Sequence, residues 1–252
     1  MGFFDKLFGK RKSAPQPDTS AQTDPPNAPA MIKAWDSYGR MVEIPREEWR
    51  RKVLPDNFKQ HWNDADGLAN LIISSLNDGF ITDSLDAARQ LHLIDPQPHR
   101  GATLLGVVLL QLKRFQEAER VLSDALRQHG EDGSLLTNLA KSYSGRGEQA
   151  LAERTLWRAL EVDPNQDNGL LWYAAIHRER GGESAEMEAF RRVAALPNSW
   201  RAQLWLARGE LERKNLAGAL NRYREAIRQA NPLPADALMQ ISGDLGNAGF
   251  LK

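Results

Sequence analysis

The amino-acid sequence repeats itself with a period of about 34 residues. The segments RFQEAERVLSDALRQHGED and GEQALAERTLWRALEVDPN align so that Ala118 falls on Ala152 and Ala125 falls on Ala159. Pro96 and Pro164, each preceded by an aspartate, lie two such periods apart. A unit of this length cannot bury its apolar side chains alone, so the period indicates several similar units that share one continuous core.

Each period carries the pattern of two antiparallel helices. Such a hairpin needs small residues where its helices cross closely, large apolar residues that fill the core, and a helix breaker before the next hairpin. In the unit that begins at Gly133, these positions hold Leu136, Leu139, Ala140, Tyr143, Ala152, Leu156, Ala159 and Pro164. In the unit that begins at His99, they hold Ala102, Leu105, Gly106, Leu109, Ala118, Leu122 and Ala125.

This set of positions resembles the tetratricopeptide repeat (TPR) family over about residues 65–250. The resemblance implies an all-α fold, a right-handed α-solenoid of helical hairpins, with units near 65–98, 99–132, 133–166, 167–199 and 200–233 and a partial unit at 234–252. The unit from Asp167 is the weakest, because Glu186 stands where the family has alanine. Gly181 and Gly182 are predicted to form the turn between its two helices.

The segment before the repeats predicts a small lead-in domain, residues 31–64. Two short strands, residues 32–35 and 41–44, flank the turn sequence DSYG, and a helix is predicted to begin at Pro45 and to end at Pro55. The segment DSYGRMVEIPREEWRRKVLP is similar to the lead-in of uncharacterised bacterial TPR proteins. That resemblance implies no activity.

The segment that precedes the lead-in divides into a short helix and a linker. Residues 1–12 form a basic amphipathic pattern, which predicts contact with an anionic membrane or a partner's groove; a frayed end without a fixed role is the alternative. The residues predicted to touch a membrane are Phe3, Phe4, Leu7, Phe8, Lys10, Arg11 and Lys12. Residues 13–30 hold five prolines and no aromatic residue, so we expect a disordered linker.

The TPR resemblance also predicts a binding surface, because the first helix of each unit in such a solenoid lines the concave groove. The groove residues predicted in this way are Thr137, Asn138, Lys141, Trp172, Arg178, Arg201, Trp205 and Arg208. A basic and aromatic groove suits an extended peptide or partner protein with acidic groups. In the alternative interpretation, the tryptophans pack between hairpins and the arginines are solvated.

Composition narrows the classes of function. The chain has no cysteine, and its five histidines form no metal-ligand pair at helical spacing, so we expect no metal, no cofactor and no enzymatic activity. Lysine plus arginine equals aspartate plus glutamate, 33 of each, which argues against nucleic acid as a partner. The expected function is therefore a protein-interaction scaffold, with a peripheral membrane adaptor and an RNA-binding helical repeat as alternatives.

Two further expectations concern the whole chain. Its most apolar stretch, ATLLGVVLL, is far shorter than the roughly 20 residues of a spanning helix, and residues 1–12 do not have the pattern of a secretory signal. We expect a cytoplasmic protein, membrane-associated if residues 1–12 insert. The partial unit at 234–252 offers one helix without its hairpin partner. Either this helix caps the stack alone, or the chain is a truncated form of a longer array, whose exposed apolar face favours self-association.

Overall fold

The structure, a computed structural model, describes residues 30–35, 38–230, 232 and 234–250. The expected helix at 1–12 and all of the expected linker except Ala30 lie outside these residues. The described chain is mainly helical and divides into two compact units, one up to Val121 and one from Leu122.

The first unit opens with the predicted β-hairpin. Strands β1 (Met31–Trp35) and β2 (Met41–Pro45) pair antiparallel, with Met31 opposite Pro45 and Trp35 opposite Met41. Gly39, in the connection, has a φ of +75°, a backbone region that favours glycine. The backbone N–H of Arg46 donates to the carbonyl of Ala30 and ties the hairpin's entry to the helix that follows it.

The lead-in helix does not end at Pro55, as the sequence predicted. It runs through α1 (Arg46–Glu48), a π-helical segment (Trp49–Val53) and α2 (Leu54–Gln60). A proline inside a helix lacks an N–H donor, and its ring collides with the carbonyl four residues earlier. The wider π-helical turn just before Pro55 accommodates both effects, so the prediction of a helix end was wrong.

Two arginines attach the lead-in to the first hairpin. Arg46 is buried, donates to the carbonyl of Asp78 at 2.6 Å, and lies 4.0 Å from the centre of the Phe80 ring. Arg50 lies 5.4 Å from the centre of the same ring and pairs with Asp83 at 3.3 Å. Phe80 itself is fully buried. The lead-in is therefore an integral part of the first unit.

The rest of the first unit is built from helical hairpins. Its helices are α3 (Ala65–Asn77), α4 (Leu85–Ile94) and α5 (Pro98–Gln111), and α6 (Phe115–His129) crosses into the second unit. Helix α4 packs on both α3 and α5, and α3 also contacts α5. Leu68, Ile72 and Leu91 are fully buried between these helices.

The second unit continues the same alternation of first and second helices. After the part of α6 from Leu122, its helices are α7 (Gly133–Gly145), α8 (Gln149–Val162), α9 (Asp167–Ala194), α10 (Trp200–Glu212), α11 (Leu216–Gln229) and α12 (Ala235–Asn247). The helix α9 is itself a hairpin, because Gly181 and Gly182 leave helical geometry in its middle. The predicted turn at these glycines is confirmed.

Small residues occupy the predicted helix crossings. Ala118, Ala152 and Ala159 are buried, and so are Ala219 and Ala226 in the later hairpin. In that hairpin, Leu204 and Ala207 of α10 pack with Tyr223 of α11 in one apolar cluster. Alanine lets the two backbones approach closely, so these positions explain why the sequence period predicted the hairpins correctly.

Candidate functional site

The predicted groove residues lie on the first helices of three successive hairpins. Thr137, Asn138 and Lys141 are on α7, Trp172 and Arg178 are on the first half of α9, and Arg201, Trp205 and Arg208 are on α10. They differ greatly in exposure and in partners.

Thr137 and Asn138 are buried, and their side chains are hydrogen-bonded within the chain. The Thr137 hydroxyl is inaccessible and donates to Oε1 of Gln166 at 2.8 Å. The Asn138 side chain is 3% exposed and donates from Nδ2 to the carbonyl of Ser134, one turn earlier, at 2.9 Å. Both side chains therefore lie in the interior of the chain and not on its surface.

Lys141 reaches across to the following hairpin. Its Nζ donates to Oδ1 of Asn168 at 2.6 Å, and among the described residues no carboxylate pairs with it. Burial lowers the pKa of Lys141 from its usual 10.5 to about 8, because the desolvated ammonium loses its hydration. The residue nevertheless keeps partial solvent exposure.

The loop before α9 supplies the remaining polar groups. Gln166 accepts from Thr137 and donates from Nε2 to the carbonyl of Ala159 at 3.1 Å. The amide of Asn165 links forward, because it donates to the carbonyl of Asn198 at 2.9 Å and accepts from the backbone N–H of Arg201 at 3.0 Å. Together these side chains form a polar cluster in which only Lys141 is charged. We call it the Lys141 site, and it consists of Thr137, Asn138, Lys141, Gln166 and Asn168.

The two tryptophans are packed rather than projecting. Trp172 is 7% exposed. Trp205 stacks on Phe190 with ring centroids 5.8 Å apart and an interplanar angle of 4°, and the guanidinium of Arg208 lies 4.4 Å from the centre of the Trp205 ring. Trp205 retains partial exposure, so it alone of the two offers apolar surface to a ligand.

Arg201 is held between two aspartates. Its guanidinium lies 2.6 Å from Asp236 of α12 and 3.4 Å from Asp167 at the start of α9, and its side chain is 12% exposed. Burial raises the pKa of Asp167, whereas the pairing with Arg201 lowers the pKa of Asp236. The positive charge predicted here for a ligand is therefore satisfied inside the chain.

Arg208 and Arg178 are also paired internally. Arg208 contacts Oδ1 of the buried Asp244 at 2.8 Å. Arg178 pairs at 3.1 Å with Glu186, the residue that replaces the expected alanine. The predicted surface is thus aromatic in part, but Lys141 is its one cation without a carboxylate partner among the described residues.

The sequence prediction missed the acidic partners, although the repeat contained a signal for them. Asp66 and Arg100 are one period apart in the sequence and lie 2.5 Å from each other in the first unit. In the second unit, Asp167, Arg201 and Asp236 recur at nearly the same interval and form a chain of ion pairs. Alternating signs at one repeat position indicate contact between successive first helices.

The described residues contain no group of three metal-ligating side chains placed to hold a metal ion. Within the same part of the chain, no helix has the length and apolar character needed to cross a membrane. The predicted membrane contacts at residues 3–12 lie outside the described residues and stay predictions.

Helical hairpins that recur at a nearly constant interval, with alanines at their crossings, define a helical repeat fold of tetratricopeptide type, as the sequence predicted. No protein-family model and no curated protein matches the chain.

Several solved structures are similar in fold. MamA from Desulfovibrio magneticus RS-1, residues 41 to the end, is 19% identical over 61% of this chain and 91% of its own, with a TM-score of 0.43. TTC0263, a thermophilic TPR protein from Thermus thermophilus, is 18% identical over 72% and 98%, with a TM-score of 0.44. YrrB, described as a TPR protein with an unusual peptide-binding site, is 18% identical over 76% and 98%, with a TM-score of 0.39. At these identities the likeness concerns the fold alone.

Proposed function

We propose that the chain is a non-enzymatic scaffold that binds a segment of another protein, and that the Lys141 site receives a carboxylate of that segment. The observation that carries this proposal is the ammonium group of Lys141, which is desolvated and, within the described part of the chain, has an amide oxygen but no carboxylate as partner. A buried charge without an opposite charge is costly, so an incoming carboxylate gains a strong interaction there.

The rest of the surface supports recognition at a single point. Arg201 and Arg208 are neutralised by aspartates of the same chain, so they add little net attraction for an acidic ligand. The partly exposed Trp205 offers a flat apolar surface two first helices further along. This arrangement favours a segment with one acidic group and a separate apolar residue over a densely acidic one.

A matched pair of variants tests the proposal. Peptide arrays probed with the full chain would supply a binding peptide, and fluorescence polarisation would then compare the wild type, Lys141→Met and Lys59→Met. Both variants lose one positive charge, but Lys59 is an exposed residue of α2. Loss of a charge-assisted hydrogen bond of about 1.5–3 kcal/mol would weaken binding about tenfold to a hundredfold in Lys141→Met only.

The choice of peptide adds a second control. Replacing the peptide's acidic residue with its amide should reduce the affinity of the wild type and leave that of Lys141→Met nearly unchanged. Equal affinity of the wild type and Lys141→Met for every peptide found would contradict the proposal.

The protonation state of Lys141 predicts how binding depends on pH. Because burial lowers the pKa of Lys141 to about 8, a growing fraction of the lysine is neutral above that pH. A bound carboxylate favours the charged form, so binding takes up a proton and the affinity should fall as the pH rises from 8 to 10. Titrations at pH 7, 8, 9 and 10 measure this, and a flat profile would place the carboxylate elsewhere.

A further inference from the structure

The last helix, α12, exposes a face without any charged residue. At about 100° per residue, six residues fall within an arc of roughly 140°. These residues are all exposed, and they are Ala235, Leu238, Met239, Ser242, Gly243 and Gly246. Leu238 is 54% exposed and Met239 is 75% exposed. The carboxylates of α12 point elsewhere, because Asp236 and Asp244 pair with arginines of α10.

Equivalent positions in earlier hairpins are covered. Counted from the first residue of each helix, Met239 of α12 corresponds to Leu204 of α10, which is fully buried in the cluster formed with α11. Likewise, Ile227 of α11 corresponds to Leu160 of α8; Ile227 is 51% exposed and Leu160 is fully buried. The open face of α12 thus includes a position that a neighbouring helix covers in the preceding hairpin.

The two glycines of this face have no internal role. A Cβ atom added at Gly243 or at Gly246 would meet no atom of the described residues within 4 Å. Glycine inside a helix is destabilising compared with alanine, so its presence without a close contact requires another explanation. Close approach of a helix from outside the chain is such an explanation.

We infer that this face is the interface of a two-fold symmetric dimer in which α12 packs antiparallel against α12 of a second copy. An antiparallel crossing centred between Ser242 and Gly243 sets Met239 of one copy over Gly246 of the other. The large side chains lie in the first half of the face and the glycines in the second half, so the face is complementary to itself. A two-fold axis also brings each surface against its own copy, and an uncharged face meets it without repulsion.

The test places a charge on the axis. Sedimentation velocity of the full chain should show a dimer for the wild type and a monomer for both Ser242→Asp and Ser242→Lys, with dissociation constants raised by about tenfold or more. An equimolar mixture of the two variants should restore a dimer, because opposite charges then meet across the axis. Ser242 is exposed, so both variants should keep the wild-type circular dichroism spectrum.

A matched control excludes a general effect of surface charge. Leu93→Asp adds a carboxylate at a leucine of α4 that is 80% exposed, and it should leave the dimer intact. A monomeric wild type at hundreds of micromolar would overturn the inference. So would a dimer that persists in Ser242→Asp, or a mixture that remains monomeric. Peptide binding at Lys141 involves neither variant position, so the two proposals can fail separately.

Discussion

Replacing Lys141 with methionine should stabilise the protein, although it removes a hydrogen bond. Folding places the ammonium of Lys141 in a desolvated position, where its pKa is about 8 instead of the usual 10.5. At about 1.36 kcal/mol per pKa unit, this difference corresponds to an unfavourable contribution of about 3 kcal/mol at neutral pH, as an upper value. Loss of the hydrogen bond to Asn168 costs about 1 kcal/mol, so we expect the free energy of unfolding to rise by about 1–2 kcal/mol.

The direction of the pKa shift determines how the stability difference between the two proteins changes with pH. The pKa of Lys141 is lower in the folded chain than in the unfolded chain, so the unfolded chain binds more protons between pH 8 and pH 10.5. The unfavourable contribution is present in full below pH 8 and disappears as the pH rises to 10.5. The advantage of Lys141→Met over the wild type should therefore be constant up to pH 8 and shrink above it.

Guanidinium denaturation followed by far-ultraviolet circular dichroism at pH 7, 8, 9 and 10 measures this difference. Burial raises the pKa values of Tyr173 and Tyr223, the latter to about 12, which lowers stability near pH 10 in both proteins and cancels in the comparison. Lys59→Met serves as the control and should match the wild type throughout. A Lys141→Met variant that is less stable than the wild type at pH 7, or a gap that stays constant to pH 10, would refute the reasoning.

Two other stability changes follow from the contacts in the second unit. Arg201→Ala leaves Asp236 and Asp167 without their shared cation. The variant should lose about 2–4 kcal/mol of stability in chemical denaturation at pH 7 and less at pH 4, where the carboxylates begin to be protonated. An equal loss at both pH values would contradict the ion pairing. Gly133→Ala would bring a Cβ within 2.8 Å of the Cβ of Asp163 and should cost about 1–3 kcal/mol. Gly243→Ala enters open space within the single chain and should add about 0.5–1 kcal/mol to the monomer, measured at a concentration below the dissociation constant of the proposed dimer. Thermal denaturation of these two glycine variants checks the contrast, and a loss of stability in both would show that helix propensity is not the deciding factor at Gly243.

The sequence predicted the hairpins because its repeat period constrains two properties at once, the spacing of small residues and the position of helix breakers. The buried Ala152 and the turn at Gly181 follow directly from it. Pro55 was misread because a local signal for a helix end gave way to a π-helical turn, which sequence patterns do not encode. The single-residue signal at Pro55 was thus less reliable than the repeat period.

The chemistry of the candidate site was only partly predictable. The repeat frame placed Lys141 and Arg208 on first helices, but it did not show that only the arginine would meet a carboxylate. That outcome depends on which side chain the neighbouring helix presents. A further periodic signal was overlooked, since Gly101 and Gly169 are two periods apart and both lie against the preceding hairpin.

The chain of ion pairs from Asp167 through Arg201 to Asp236 restricts rearrangement of the second unit. Removal of residues 200–234 would leave a continuous hairpin array by length, but it would bring Asp167 against Asp236. Duplication of the same segment would set two copies of Arg201 side by side. The hairpins share one backbone design, but their charges favour one order of stacking for these first helices.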